Sequence, residues 1–328
     1  CLPGVSMRQD MSFDAARMLV TAEMMGITTH GLARVPSYVA RLRNGGANPH
    51  AKPVIRAPAP ALRQVDGQNG LGAAVALRAT DAAMEAAKNV GIGAAFCSAS
   101  THLGALAPQL LHAVEAGFAA IFTTNTSPMI VAPGGRNAVI GNQPIGIAIP
   151  DPNGRHLILD VALSVVARSK VRRAAASGES IPDSWATDEQ GRPTTDAAAA
   201  LNGHMQAIGG AKGAYLSLAL DLFTGLLSGS SILSQIPNAN IDTSARANVG
   251  HLFLAVDAAC LAPNETLLRR LEDGRKLLRD SADHPDNAPR LPGEGALASL
   301  AKARAAGVPV DPDLLSQIEE LAGHSQQN

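Results

Sequence analysis

A short turn between two apolar runs constrains the fold of this chain more than any other feature. Asp151-Pro152-Asn153-Gly154 separates residues 145–149 from residues 156–160. A turn rich in Pro, Asn and Gly between two such runs is typical of a β-hairpin. Hairpin strands pair antiparallel, whereas purely parallel sheets are joined by helical crossovers. We therefore expect antiparallel pairing in the sheet, and an all-parallel sheet is disfavoured.

Helical patterns alternate with strand-like runs along the rest of the chain. The apolar spacing predicts helices over residues 12–25, 36–45, 73–89, 105–116, 161–177 and 214–228, and from residue 264 onward with a loop at 280–295. Strands are predicted over residues 61–65, 92–97, 119–124, 145–149, 156–160 and 251–256. Residues 48–60 contain four prolines and read as an extended linker. The pattern indicates an α/β chain: a helical domain from the two ends, 1–58 with 265–328, around a sheet-containing domain, 59–264.

Composition excludes several classes of function. Hydrophobic residues make up 46% of the chain and charged residues 17%, which predicts a folded core. The net charge of -1 and an aromatic content of 3% disfavour nucleic-acid binding. No apolar run is long enough for a membrane span, and the opening CLPGVSMRQD does not resemble a signal peptide. We expect a cytoplasmic protein.

The cysteines and the chain start carry little further information. Cys1, Cys97 and Cys260 are far apart and odd in number, which disfavours a disulfide framework or a zinc site, so no metal site is expected. Because the chain starts at Cys1 and not at Met, a short preceding piece is expected.

Familiar cofactor and nucleophile motifs are absent from the sequence. It contains no GxGxxG, no GxxxxGK[ST], no GxSxG and no HExxH. A Rossmann dinucleotide site, a P-loop, a nucleophile elbow and a zinc-protease helix are therefore not expected. Hydride-transfer enzymes of other folds are still possible.

The segment from Thr29 to Tyr38 carries groups suited to proton transfer. His30, near an ordinary histidine pKa, can protonate a developing alkoxide or amide, and the Thr29 hydroxyl can hold its ring. Arg34 can grip a substrate carboxylate with two parallel hydrogen bonds. Alternatively, His30 caps a helix end and Arg34 lies in solvent. We keep both readings open on spacing alone.

Five further polar segments lie in turns. Each has a structural alternative, namely an ordinary cap, turn or exposed side chain. They are Ser100-Thr101-His102-Leu103-Gly104; Asn125 to Pro128 with Pro133-Gly134-Gly135 and Gly141 to Pro144; Asp160; Gly209 to Gly213 with Lys212; and Arg290 to Glu294.

Taken in order, these segments resemble one family. The runs THGLARVPSY, STHLGA, NTSPM with PGG, GNQPIGIAIP, LDVA, IPDSWATDEQGRPTTD, GGAKG and RLPGE are similar to the malate/L-lactate dehydrogenase family of the non-Rossmann type. That family includes Δ1-piperideine-2-carboxylate/Δ1-pyrroline-2-carboxylate reductases and ureidoglycolate and sulfolactate dehydrogenases. The resemblance covers residues 12 to 310. It implies a non-Rossmann NAD(P)-binding α/β fold with a central mixed, largely antiparallel sheet, and usually a homodimer.

The resemblance also implies roles for individual residues. His30 falls on the family's proton donor, with Thr29 where serine is usual, and Arg34 falls on its substrate arginine. The substrate-binding residues implied are Arg34, Tyr38, Asn142, Arg168 and Ser169. The cofactor-binding residues implied are His102, Leu103, Gly104, Ala105, Leu106, Asp160, Val161, Ala162, Lys212, Asn287, Ala288, Pro289, Arg290, Leu291, Pro292 and Gly293.

Three departures from the family pattern stand at implied ligand contacts; the first two bear on substrate choice and the third on cofactor contacts. Asn142 stands where threonine is common, Arg168-Ser169 where Arg-Gly is frequent, and Ala211 where histidine is common before Lys212. The HGLARVPSY run looks closest to the imino-acid reductases. The resemblance therefore implies NADPH- or NADH-dependent reduction of a small cyclic 2-imino acid or a 2-oxo acid at C2, with His30 as proton donor.

Alternatives to that reading remain. Within the class, the alternative is a malate/L-lactate or ureidoglycolate dehydrogenase. Outside it, the alternatives are a cofactor-free hydrolase or lyase using His30 and Asp160, and a non-catalytic dimer that retains the fold.

Overall fold

A computed structural model describes residues 7–239, 241–284 and 287–323, so Cys1 lies outside the described residues. The helices are α1 Gln9–Met24, α2 Val35–Arg43, α3 Gly72–Val90, α4 Ala107–Glu115, α5 Arg168–Ser177, α6 Ala197–Asn202, α7 Ala211–Ser228, α8 Asn264–Asp280, α9 Glu294–Ala306 and α10 Pro312–Gly323. The strands are β1 Val54–Ala59, β2 Leu62–Asp66, β3 Ile92–Ser100, β4 Phe118–Thr124, β5 Ile130–Val131, β6 Ala138–Ile140, β7 Ile145–Ile149, β8 Leu157–Val161 and β9 Val249–Asp257.

A seven-stranded sheet with the order β1-β2-β3-β9-β4-β7-β8 forms the centre of the molecule. Strands β2 and β3 pair parallel, and the other five adjacent pairs described are antiparallel. The predicted hairpin is confirmed: β7 and β8 pair with Ile145 opposite Val161. The fold is a mixed α/β architecture with a mostly antiparallel central sheet, as the family resemblance implied.

Small residues let helix α3 lie close to the sheet. Eight of its thirteen buried residues are alanine, and it packs against β3 and β9. Gly93 of β3 comes so near that a Cβ there would lie 2.8 Å from the Ala86 methyl group. The larger side chains Phe122 and Phe253 meet edge to face at 5.0 Å between ring centroids. The core therefore gains its contacts from close backbone approach and a few aromatic pairs.

The sheet presents a second, more open face on the side away from α3. Phe96 of β3 points there and meets Phe223 of α7 at 6.1 Å between ring centroids. Side chains on this face include Leu62, Ile92, Leu254, Ile121, Ile147, Leu159 and Val161, by strand alternation and register. Leu62, Ile92, Ile121 and Val161 are exposed.

Two predicted segments are wrong in the structure. The prolines of residues 48–60 do not keep that segment out of the sheet, because β1 pairs antiparallel with β2, Val54 opposite Asp66. As an edge strand, β1 tolerates proline. The helix predicted over residues 161–177 begins only at Arg168. Val161 completes β8, and the Leu163 and Val165 N–H groups donate sideways to the Asn142 and Gln206 carbonyls instead of along a helix.

The other elements agree with the predictions to within a few residues. The two-domain division, 1–58 with 265–328 and 59–264, stays a prediction; most of β1 falls in the first of these ranges. Among the described residues, no helix combines the length and the hydropathy needed to cross a membrane.

Candidate functional site

The site is built where strands β3, β4 and β9 end or begin beside the turn that joins α1 to α2. His251, at the start of β9, is fully buried there. Its Nδ1 lies 2.7 Å from Thr124 Oγ1 and its Nε2 lies 2.8 Å from Ser100 Oγ. Burial lowers the pKa of His251 to about 3, so the ring is neutral at pH 7. His251 was not predicted from the sequence, although a histidine in an otherwise apolar strand was a visible signal.

The turn between α1 and α2 carries the predicted catalytic residues and is tied to α1. The Glu23 carboxylate accepts a hydrogen bond of 2.8 Å from the Leu32 N–H. Thr29 Oγ1 lies 2.9 Å from His30 Nδ1, and Arg34 Nε donates to the Thr29 carbonyl over 2.7 Å. Thr29, His30 and Arg34 therefore form one cluster. With Nδ1 engaged, Nε2 of His30 makes no hydrogen bond to any described residue.

A second contact brings the two predicted segments together. The Tyr38 hydroxyl lies 2.9 Å from His102 Nδ1 and 3.1 Å from the His102 carbonyl. The rings of His30 and His102 are 5.6 Å apart between centroids. Tyr38 is buried, and burial raises its pKa and lowers that of His102, so both side chains are neutral. Tyr38 thus fixes the orientation of the His102 ring.

The protonation state of His30 differs from the sequence-based assumption. Burial, reinforced by the nearby Arg34 charge, lowers the pKa of His30 to about 4. The imidazole is therefore neutral at pH 7 in the ligand-free protein, whereas the sequence argument assumed an ordinary pKa. A neutral ring is ready to accept a proton, and it can donate one only after taking it up.

The sequence predicted that a helix begins directly after Asp160, but the structure places no helix there. Asp160 lies in β8, and its Oδ2 accepts a 2.8 Å hydrogen bond from the Ala107 N–H at the start of α4. Burial raises the pKa of Asp160, while the backbone N–H groups of Ala107 and Leu106 act against that rise. Among the described residues Asp160 makes no hydrogen bond to His30, so the structure gives no support to a His30–Asp160 pair.

The rest of segment 102–106 and its neighbours occupy different environments. Leu103 and Leu106 belong to the main hydrophobic core. Gly104 adopts a left-handed conformation with φ of 91°, and Ala105 is partly exposed. In β8 and just beyond it, Val161 is exposed and Ala162 half-buried. Because the side chains of Leu103 and Leu106 are buried in the core, these two residues can offer a ligand only their backbone groups.

Four further predicted ligand contacts are Asn142, Arg168, Ser169 and Lys212. Asn142 is half-buried, and its Oδ1 accepts a 2.9 Å hydrogen bond from the Thr126 hydroxyl. Arg168 donates to the Leu201 carbonyl over 2.6 Å, and burial lowers its pKa. Ser169 is half-buried in the first turn of α5, and Lys212 is exposed in the first turn of α7. Within the described residues, none of these side chains hydrogen-bonds to His30 or Arg34.

The predicted late loop forms a cavity with helix α8. Ala288, Pro289, Arg290 and Leu291 line a volume of about 220 Å³ together with Arg275, Leu278, Arg279 and Glu294. The loop is anchored by the Pro292 carbonyl, which accepts from the Ile158 N–H of β8 over 2.9 Å. Gly293 follows with φ of 94°, and a Cβ there would lie within 3 Å of Ile158. Asn287 is exposed at the start of the loop.

Arginines dominate this cavity. Arg275 is buried and bound to Asp151 at 2.9 Å, and its Nε lies 3.6 Å from Glu294. Arg279 and Arg290 are exposed and have no ion pair with a described residue. Two unpaired guanidinium groups suit a phosphate. Arg279 was not predicted from the sequence, because only the fold brings α8 beside the late loop.

The site of this mixed α/β protein places Nε2 of His30, which makes no hydrogen bond to a described residue, close to Arg34. This pair is typical of enzymes that transfer a proton while they bind a carboxylate. The chain belongs to the malate/L-lactate dehydrogenase family, which it matches over residues 1–319. It is an oxidoreductase that acts on 2-hydroxy, 2-oxo or 2-imino acids.

Similar proteins include imino-acid reductases and a malate dehydrogenase. A Δ1-pyrroline-2-carboxylate reductase from Ancylobacter novellus is 33% identical over 306 residues, covering 93% of this chain and 89% of the relative. A malate dehydrogenase from Pyrococcus abyssi is 31% identical over 313 residues, covering 93% and 85%. The solved structure of Δ1-piperideine-2-carboxylate reductase from Pseudomonas syringae pvar. tomato superposes with a TM-score of 0.87 at 26% identity, covering 97% and 94%.

Proposed function

We propose that this protein reduces a small cyclic 2-imino acid, Δ1-pyrroline-2-carboxylate or Δ1-piperideine-2-carboxylate, or a 2-oxo acid of similar size. The observation that carries the proposal is the cluster of Thr29, His30 and Arg34. It places a proton-transfer group, His30, beside an arginine that can bind a carboxylate. The sequence similarity to reductases of these imino acids supports the substrate class. The nicotinamide cofactor, when bound, would supply the hydride.

The side chains divide the remaining work. Arg34 binds the substrate carboxylate through the guanidinium nitrogens that its Nε bond to Thr29 leaves free. His30 transfers a proton at Nε2, and the Thr29 hydroxyl at Nδ1 can donate or accept, so it holds the ring in either protonation state. Tyr38 keeps the neighbouring His102 ring in place. Orientation and charge placement are the contributions of this chain.

Substrate binding adjusts the charge on His30. Burial is the main cause of its low pKa, and the charge of Arg34 is the second. A carboxylate bound to Arg34 offsets the second cause and adds a negative charge near the ring, so the pKa of His30 rises in the complex. We expect proton uptake on binding of the anion, and that proton is the one delivered to the substrate.

The alternative within the class is a malate/L-lactate or ureidoglycolate dehydrogenase. The neutral state of His30 in the free protein favours this direction, because a neutral imidazole can accept the proton of a 2-hydroxy acid as the hydride leaves. The similarity to malate dehydrogenase from Pyrococcus abyssi supports it as well.

NADPH is the proposed cofactor in preference to NADH. The cavity between α8 and the late loop offers Arg279 and Arg290 to a phosphate, and an extra phosphate is what distinguishes NADPH. Glu294 also lines this cavity and opposes an anion, but it lies 3.6 Å from Arg275. Replacing Arg279 or Arg290 by Gln should weaken NADPH binding about tenfold or more and leave NADH binding unchanged. Protein-bound nucleotide fluorescence measures both dissociation constants without turnover.

A homodimer is the proposed assembly. Helix α7 buries Ser217, Asp221, Thr224 and Ser228 and exposes Tyr215, Leu216, Phe223, Leu226 and Leu227. This is the reverse of an ordinary surface helix, and it adjoins the open apolar face of the sheet through Phe96 and Phe223. An apolar surface of this kind is typical of an interface. A second copy of the chain, related by a two-fold axis, can cover it with the same surface.

The deciding experiment measures NADPH and NADH oxidation with five substrates: pyruvate, oxaloacetate, phenylpyruvate, Δ1-pyrroline-2-carboxylate and Δ1-piperideine-2-carboxylate. The imino acids should give the highest kcat/KM. His30→Gln should lower kcat about 100-fold or more, and the exposed control His50→Gln should leave it unchanged. Undiminished turnover by His30→Gln would refute the proton-transfer role. Absence of nucleotide binding would refute the reductase, and a faster oxidation of malate or lactate would favour the alternative.

A further inference from the structure

A cavity outside the described cluster lies between the turn after β2, the end of β3 and the segment before β9. Its volume is about 290 Å³, and it is lined by Asn48, Gln68, Asn69, Ala99, Arg246 and Asn248. Neither His30 nor Arg34 lines it.

Backbone strain is concentrated around this cavity. Six described residues other than glycine have positive φ, and four of them line it: Gln68 at 50°, Asn69 at 58°, Ala99 at 49° and Asn248 at 44°. An alanine rarely adopts this conformation, since its side chain cannot compensate through a local hydrogen bond. Residues held in such conformations cluster at ligand sites.

A hydrogen-bond network maintains the strained residues. The Asn248 Oδ1 accepts from the Ala99 N–H over 2.7 Å, and the Ala99 carbonyl accepts from the Asn69 N–H over 2.6 Å. The strand pairing of β3 with β9 shifts register between Cys97 and Ser100, so Ala99 lies in a bulge. The three segments around the cavity are therefore locked together before any ligand binds.

Most free side-chain polar groups of the cavity wall are donors; the exception is Asn69 Oδ1, a buried acceptor without a hydrogen-bond partner among the described residues. The side-chain oxygens of Asn48, Gln68 and Asn248 already accept backbone N–H groups, those of His50, Lys52 and Ala99 respectively. The amide nitrogens of Gln68 and Asn248 and the guanidinium of Arg246 make no hydrogen bond to a described residue. No carboxylate of a described residue lines the cavity. The wall is therefore complementary to an anion.

A second arginine lies directly behind the wall. Arg41 is buried, and its Nη2 donates to the carbonyls of Gly46 and Ala245, at 2.8 and 2.9 Å. The same Gly46 carbonyl accepts from Asn69, and Ala245 precedes Arg246. Within the described part of the chain, Nε and Nη1 of Arg41 have no hydrogen-bond partner. Asp242 is the nearby acid, but its Oδ1 already accepts from Ser244 and Ala245.

We propose that this cavity binds a small carboxylate, of the size of a three- to six-carbon mono- or dicarboxylic acid, at a site distinct from Arg34. Arg246 pairs with the carboxylate, the Gln68 and Asn248 amides donate to it, and buried Arg41 adds positive potential from behind. A carboxylate group fits better than a phosphomonoester, because only one guanidinium, that of Arg246, lines the cavity, whereas a phosphomonoester carries close to two negative charges at pH 7. The proposal rests on this cavity and does not need the proposed reduction to be correct.

Isothermal titration of the full-length protein with L-malate tests the proposal. The Arg34→Gln variant removes the carboxylate ligand of the catalytic cluster, so binding that persists in it reports the second site. We expect that binding to weaken at least tenfold when Arg246→Gln is added. Asn248→Asp should do the same, because it keeps the oxygen that accepts from Ala99 but replaces the donor by a negative charge. Arg270→Gln, on the exposed side of α8, is the matched control and should have no effect.

Three binding results would overturn the inference. The first is that Arg34→Gln binds no malate at about 10 mM, a concentration at which even a millimolar ligand binds. The second is equal binding when Arg246→Gln or Asn248→Asp is added in a folded protein, and the third is tighter binding of inorganic phosphate than of malate. A change of oligomeric state in Arg246→Gln, measured by sedimentation, would also overturn it, since the cavity would then be a contact with a second copy. Loss of turnover in Arg34→Gln with retained malate binding would bear on the proposed reduction alone.

Discussion

Acidification should destabilise this protein through the buried imidazole of His251. The ring lies between Ser100 Oγ at 2.8 Å and Thr124 Oγ1 at 2.7 Å, and no part of the residue is exposed. Both contacts suit a neutral ring, which donates at one nitrogen and accepts at the other. Protonation would place a charge in a site without a carboxylate partner among the described residues. His251→Gln removes the titrating group and is the perturbation we choose.

The magnitude follows from the two pKa values of His251. Burial lowers the value from 6.5 in the unfolded chain to about 3 in the folded protein, so the folded state binds fewer protons. The stabilisation is complete above pH 6.5 and is lost as the pH falls toward 3. Each unit corresponds to about 1.4 kcal/mol, so the step from pH 7.5 to 4.5 should cost the wild type about 3 kcal/mol through this residue. That is a large part of a typical stability of roughly 5–15 kcal/mol.

Urea unfolding followed by circular dichroism at pH 7.5 and 4.5 measures this loss. His30, His102 and His156 also have lowered pKa values and add to the acid sensitivity. The relevant quantity is therefore the difference in pH dependence between wild type and His251→Gln, which should be about 3 kcal/mol. The exposed control His50→Gln should keep the wild-type pH dependence. If His251→Gln loses as much stability on acidification as the wild type, the reasoning is refuted.

Other substitutions test separate parts of the structure. Burial raises the pKa of Asp221 to about 6. The folded protein therefore loses stability as the pH rises from 3.8 to 6 and this carboxyl ionises. In urea unfolding, Asp221→Asn should stabilise the fold by up to about 3 kcal/mol at pH 8 and by little at pH 4. Tyr38→Phe should destabilise the fold by about 1–2 kcal/mol, because it leaves His102 without its hydroxyl partner, and an unchanged midpoint would contradict this. Leu226→Glu should convert the proposed dimer to a monomer in sedimentation, whereas Leu277→Glu, at an exposed leucine of α8, should not.

Local chemistry made part of the candidate site predictable. Thr29, His30 and Arg34 lie within six residues, so a single turn holds them together whatever the rest of the chain does. The hairpin of β7 and β8 was equally local, since its turn and both strands are contiguous. The alanine-rich helix α3 needed only its own pattern. In each case the residues that interact are neighbours in the sequence.

The sequence by itself determined these local elements and, through ordered motifs, the family. Tertiary structure decided the rest. The proline-rich edge strand β1 needs β2 as its partner, and the Tyr38–His102 contact joins residues 64 positions apart. His251 meets Ser100 across 151 positions. The low pKa of His30 is also a tertiary effect, because burial depends on which surfaces meet. Pattern and propensity are properties of neighbours, whereas burial, charge and cavity shape depend on distant segments that only the folded chain brings together.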